Sequence, residues 1–267
     1  MKNIIFIFLI IGTLFSLNAE AKKKPIRKDY NCYWELSKDG VLTISGQGKM
    51  PSFWYKRNEL NTPWRKNKKK INKIIIEEGI QKVGNFAFYG CTNVSEIILP
   101  QSLEDIGEKA FYCCRGFKNI KLPNGLKSIG KEAFYGCTKL ESITIPHGIK
   151  TIERGTFEDC NSLKFVTIPN SVTTIDVAAF YNCENLTSIC IPEGVTKIGG
   201  NAFVYCSKLT SIVLPISVTS IGFSAFAACK NLKNISLPTN LTPGQIEDHA
   251  FAESWHVCNH TKTTDNN

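Results

Sequence analysis

Histidine is scarce, with four residues in 267, and none of them is placed to work with a nucleophile. His147 and His249 stand alone, so no Ser-His-Asp or Cys-His pair offers an activated hydroxyl or thiol. Long apolar runs are equally scarce. Only Ile4 to Leu17 forms one, and it falls short of the roughly 20 residues a membrane-spanning helix needs. No cysteine follows it at a position suited to lipid attachment, and the tail from Thr261 to Asn267 carries no hydrophobic anchor. The hydrophobic share of 43% and the charged share of 21% exclude a disordered or collagen-like chain.

The short run follows Lys2 and precedes Ala19-Glu20-Ala21, the pattern of a secretory signal peptide over residues 1–21, cleaved after Ala21. The expectation is a secreted or surface-displayed chain. Charge is unevenly spread: residues 22–70 hold 14 Lys or Arg against four acidic residues, and residues 71–267 hold 17 against 18. The basic residues form two clusters, Lys22, Lys23, Lys24, Arg27 and Lys28, then Arg65, Lys66, Lys68, Lys69 and Lys70. Such runs are usually solvated; otherwise they engage anionic lipid or acidic polysaccharide through salt-dependent attraction. Secretion leaves nucleic acid the least suited partner. Residues 22–29 read as a flexible basic N-terminus.

What the chain has in abundance is repetition. Prolines recur at positions 100, 123, 146, 169, 192, 215 and 238, always 23 residues apart. Phe88, Phe111, Phe134, Phe157, Phe180, Phe203 and Phe226 keep that step, as do Cys91, Cys114, Cys137, Cys160, Cys183, Cys206 and Cys229. A fixed period of this length marks a solenoid with leucine-rich-repeat spacing. In one unit, alternation turns Ile143 and Ile145 inward on a short strand, and Pro146 ends it because it has no N–H for a ladder. A second extended piece runs from Ile149 to Ile152. It leads to Gly84, Gly107, Gly130, Gly199 and Gly222 in five of seven coils, where a positive φ would be tolerated; Glu153 and Asp176 depart from this. The third side drives Phe134 into the core. One coil alone cannot fold, because its few apolar side chains do not offset the ordering of about 23 residues at roughly 1–2 kcal/mol each.

Residues 30–70 lack the period and read as an N-terminal cap: a β-hairpin of Tyr33–Leu36 and Val41–Ile44 about Asp39-Gly40, then a compact loop through Gly46, Gly48, Met50, Pro51 and Trp64. Repeats follow over 71–238. Residues 239–258 read as a degenerate last repeat and C-terminal cap closed by Trp255 and Val257, with Phe251 arriving 25 residues after Phe226 and Ser254 at the cysteine position, before a polar tail over 259–267.

The ladder cysteines read as buried reduced thiols filling the turn after each phenylalanine. Cys32, Cys113, Cys190 and Cys258 lie off the ladder, and Cys190, between Ile189 and Ile191, belongs on the outer strand face. His256, Cys258 and His260 do not make a convincing four-ligand set, so no metal or cofactor is expected. Glu77-Glu78 and Glu158-Asp159 are paired carboxylates read as solvated surface. Outward strand positions are mostly small and polar. Ile98, Phe165, Val213 and Ile216 interrupt them, and with Lys121 and Cys190 they form the candidate partner-binding face.

The recurring Ile-Gly-x-x-Ala-Phe-x-x-Cys-x-x-Leu-x-x-Ile-x-x-Pro resembles the BspA-type leucine-rich repeat family, and Trp34 to Trp64 resembles the cap that precedes such repeats in bacterial members. The resemblance covers about residues 30–258. It implies a right-handed, mainly β solenoid with a parallel sheet, and a secreted or surface-displayed monomer that binds extracellular or host-surface proteins or glycans. It supplies no catalytic residue. The alternatives are a secreted carbohydrate- or peptide-active enzyme on a β-solenoid, or a purely structural surface protein.

Overall fold

The computed structural model describes residues 23–56 and 59–254. The leader with Lys22, and the stretch with Trp255, His256, Val257, Cys258 and His260, lie outside the described residues.

The cap comprises β1 (Lys24–Pro25), β2 (Cys32–Leu36), β3 (Val41–Gly46), β4 (Gly48–Lys49), β5 (Tyr55–Lys56) and β6 (Glu59–Leu60). The expected hairpin is β2–β3, with Trp34 opposite Ile44. The N-terminal basic segment is tied down rather than flexible: β1 adds antiparallel to β2, Ile26 is buried, and its N–H donates to the Cys32 carbonyl. An apolar residue among the lysines supplies the reason, since Ile26 is drawn into the cap core.

The cap is itself a modified coil. β3 pairs in parallel with β7 (Lys73–Ile76), and β4 pairs in parallel with β8 (Ile80–Val83). It therefore offers one strand to each sheet of the array, including a strand where the sequence suggested only a loop. Leu42 lies opposite Ile74, 32 residues on, rather than the 23 of later coils. The excess forms the small β5–β6 hairpin.

Beyond the cap, β7 pairs with β9 (Glu96–Ile98), and the same side continues with Ser142–Thr144 beside Phe165–Thr167 and Ser211–Val213 beside Asn234–Ser236. Every register step there is 23, as Ile143 opposite Val166 shows. The second side is also parallel, from β8 through Asp105–Ile106 and Ser128–Ile129, then from Thr151–Ile152 to Ser220–Ile221. In the unit discussed above the strand covers only Thr151–Ile152, because Ile149 closes a turn onto Pro146. Among the described residues there is no α-helix.

The third side holds the chain by hydrogen bonds between coils. The N–H groups of Lys109, Phe111 and Cys113 donate to the carbonyls of Lys131, Ala133 and Tyr135 on the next coil. This arc bends through two left-handed residues per coil, and they are not the glycines the sequence suggested. One ladder includes Phe86, Lys109, Glu132, Gly155, Ala178, Asn201 and Ser224; the other includes Gly90, Cys113, Gly136, Asp159, Asn182, Tyr205 and Ala228. Left-handed backbone costs a non-glycine residue roughly 1–2 kcal/mol, offset here by the hydrogen bonds between coils and the phenylalanine each arc buries. Gly107 serves close approach instead: a Cβ there would lie 2.6 Å from the Asn85 backbone nitrogen.

At the centre runs a column of rings. Trp64 starts it, stacked on Phe88 at 5.7 Å and donating its indole N–H to the Ala87 carbonyl at 2.9 Å. The ladder phenylalanines follow at 5.1 to 5.7 Å, all fully buried, and the slipped Phe251 restores the stack at 5.4 Å from Phe226.

Candidate functional site

The first sheet presents two outward columns, because alternate residues of each strand face away from the core. Inward residues such as Ile97, Ile143, Val166 and Ile212 are buried. Outward ones are exposed: Ile98 by 41%, Phe165 by 58% and Val213 by 66%, with Lys121 and Cys190 exposed beside them. Lys121 and Cys190 stand on coils whose strands are not formed, so the sheet is interrupted there. Cys190 precedes Val213 by one coil step, and Phe165 occupies the other column on the coil before. Phe165, Cys190 and Val213 therefore expose apolar side chains on three successive coils of this side. Ile98 stands apart from them near the cap, opposite Ile75. Ile216 is exposed but belongs to the corner turn where Val218 N–H donates to the Pro215 carbonyl, not to the strand face.

The ladder thiols have a more specific role than filling space. Cys114, Cys137, Cys160, Cys183, Cys206 and Cys229 each donate from Sγ to the phenylalanine carbonyl of the preceding coil, at 3.1 to 3.3 Å. Ser254 makes the equivalent bond to Phe226 at 2.6 Å. Burial pushes these thiols up, Cys229 to about 12; Cys91 also rises to about 12 by burial, with Lys68 opposing. Such thiols are poor nucleophiles. Cys32 is buried in the cap and Cys113 half-buried on the third side.

The third side carries a tyrosine column that the ladders did not reveal. Tyr89, Tyr112 and Tyr135 stack at 4.5 and 4.4 Å. The Phe-Tyr dipeptide at 88–89, 111–112, 134–135 and 180–181 was the available signal. Glu158 interrupts the column, so it is not the solvated carboxylate expected. Desolvation first, then Asp159 and Glu132, push it up to about 7, with Arg154 opposing. Asp159 accepts from the Asn182 amide at 2.8 Å. Glu78 is a brace, accepting from the N–H groups of Gln101 and Ser102 at 2.7 and 3.1 Å. His147 and His249 are both exposed, and His249 lies against Phe223.

The basic residues are distributed around the cap. Lys23 pairs with Glu77 at 3.6 Å, Lys24 lies over the Trp34 ring, and Lys28 is exposed. Arg65 pairs with Glu59 at 3.4 Å. Lys66 and Lys68 line a cavity with Arg65, Arg27 lines a second, and Lys69 and Lys70 line neither.

The model of the BspA type leucine rich repeat region matches residues 65–183 and 150–266, with six copies. No curated protein matches the sequence. Among solved structures, a leucine rich repeat protein of T. pallidum is 24% identical with a TM-score of 0.55, over 67% of this chain and 88% of that one. A leucine rich cell surface protein of Faecalibacterium prausnitzii A2-165 is 24% identical with a TM-score of 0.54, over 85% of this chain and 79% of that one. Both likenesses are likenesses of fold.

Proposed function

The chain belongs to the BspA type leucine-rich repeat family, and we propose that it is a non-enzymatic interaction module, displayed at the cell surface or secreted, that binds extracellular or host-surface proteins through its first sheet. The observation that carries this reading is the exposure of Phe165, Cys190 and Val213 on three successive coils of a mostly polar face. Solvent-facing apolar side chains on a stiff array gain by burial against a partner and lose little entropy on binding. The leader expected over residues 1–21 and the surface location named for the Faecalibacterium relative support the location.

The test is a binding screen of the purified protein against matrix proteins and mucins, repeated with Phe165→Ser and Val213→Ser. Loss of a central contact costs about 2 kcal/mol, a roughly 30-fold weaker complex. Hydrolysis of a polysaccharide or peptide, with no binding to any of these proteins, would overturn the reading.

A further inference from the structure

Two open cavities, of about 280 and 320 Å³, flank the insertion that lengthens the cap coil, near the lower end of the usual small-ligand range of about 300–1,000 Å³. Trp54 lines one and Tyr55 the other, so consecutive residues contribute a ring to each. Hydrogen bonds tie the two ends of the insertion together. The Trp54 N–H donates to Asn61 Oδ1 at 2.9 Å, Asn61 N–H returns to the Trp54 carbonyl, and Tyr55 pairs with Leu60 across the β5–β6 hairpin.

Both cavities are strongly basic. Arg27, Lys49 and Lys82 line the Trp54 cavity, and among the described residues its walls carry no carboxylate. Arg65, Lys66 and Lys68 line the Tyr55 cavity, where Glu59 answers only Arg65. Among the described residues, Arg27, Lys49, Lys82, Lys66 and Lys68 form no ion pair. The rings are available: Trp54 is 45% exposed and Tyr55 51%. The Arg27 guanidinium covers one face of Trp54 at 4.5 Å, and Tyr55 stands edge-on to Phe86 and Tyr89.

We infer that these cavities form one binding site for an anionic polysaccharide, a chain of sugar rings bearing sulfate or carboxylate groups. Each exposed ring meets the apolar C–H face of a sugar, and the surrounding cations meet its acidic substituents. Continuous base stacking would need a row of parallel open rings, whereas these two lie in separate cavities with Trp54 already covered on one side. The site is separate from the sheet face and does not depend on it.

Titration of the purified protein with a heparin octasaccharide, with neutral dextran as control, tests the inference. Trp54→Ala, and separately Lys49→Ala with Lys82→Ala, are each expected to weaken heparin binding at least about tenfold, and the lysine pair to flatten its salt dependence. Lys69→Ala with Lys70→Ala removes the same charge outside the cavities and is expected to weaken it less than about threefold. Unchanged melting temperatures establish that each variant is folded. Equal losses for the two lysine pairs, tighter binding of oligothymidylate than of heparin, or displacement of heparin by phosphatidylserine vesicles would overturn it. Phe165→Ser leaves heparin binding intact if the site is the cap, so failure here and failure of the sheet-face reading are told apart.

Discussion

Replacing Glu158 by glutamine keeps the size of the side chain and removes a charge from the third side of the array. In the folded chain, desolvation together with Asp159 and Glu132 pushes this carboxyl from an ordinary 4.5 up to about 7. The fold therefore holds a proton that the unfolded chain releases, and stability falls as pH rises from about 4.5 to about 7, then levels off. The whole gap corresponds to roughly 3 kcal/mol at about 1.4 kcal/mol per pKa unit. The group is only half-buried, and solvent screening reduces this to about 1 kcal/mol. In an array of this length that moves the melting temperature by about 2–4 °C. Glu158→Gln is expected to gain that much at about pH 8 and almost nothing at about pH 4, in thermal unfolding followed by far-ultraviolet circular dichroism. Glu158→Tyr completes the column between Tyr135 and Tyr181, adds ring contacts worth about 0.5–1.5 kcal/mol each, and is expected to gain at both pH values. Equal melting temperatures for the parent protein and the Glu158→Gln variant at about pH 8, or a gain independent of pH, would refute the reasoning.

Phe134 is fully buried between Phe111 and Phe157, so Phe134→Ala is expected to cost about 3–5 kcal/mol in urea unfolding; a loss under about 1.5 kcal/mol would mean that the column is not a main support. Gly107→Ala places a Cβ 2.6 Å from a backbone nitrogen of the adjacent coil, whereas at Gly125 the nearest atom is 3.7 Å away. The first is expected to destabilise by about 1–3 kcal/mol and the second to be neutral or slightly stabilising, compared by melting temperature. Among the described cysteines, only Cys190 is exposed, so brief alkylation of the native protein, read by peptide mass spectrometry, is expected to mark Cys190 first and the ladder thiols only after denaturation. Rapid labelling of Cys137 or Cys160 would contradict the close packing of the coils.

The positions of Phe165, Cys190 and Val213 were legible because a 23-residue period and strand alternation assign each residue a face without any coordinates. Ile216 was misplaced because the period says nothing of where the chain turns the corner after Pro215. The left-handed residues were missed for a related reason. Lys109, Glu132 and Ser224 do not favour that conformation locally, and hydrogen bonds to the next coil impose it. Gly107 and Gly130 stand out in the sequence for their conformational freedom, but what requires them is crowding by residues on the coil before. Glu158 reads as surface from its local sequence, whereas burial on the third side, with Asp159 and Glu132 close by, sets its environment.

Sequence alone determined the solenoid, its period, its inward side chains, the column of phenylalanines and the concentration of positive charge in the cap. These follow from residue type and spacing along the chain. Only the tertiary structure decided what depends on two coils or on the cap insertion: the thiol bonds to the preceding phenylalanine carbonyl, the shifted carboxyl of Glu158, and the paired cavities beside Trp54 and Tyr55. A coil has no core of its own, so its hydrogen bonds, desolvation and clashes are set by the neighbours stacked against it.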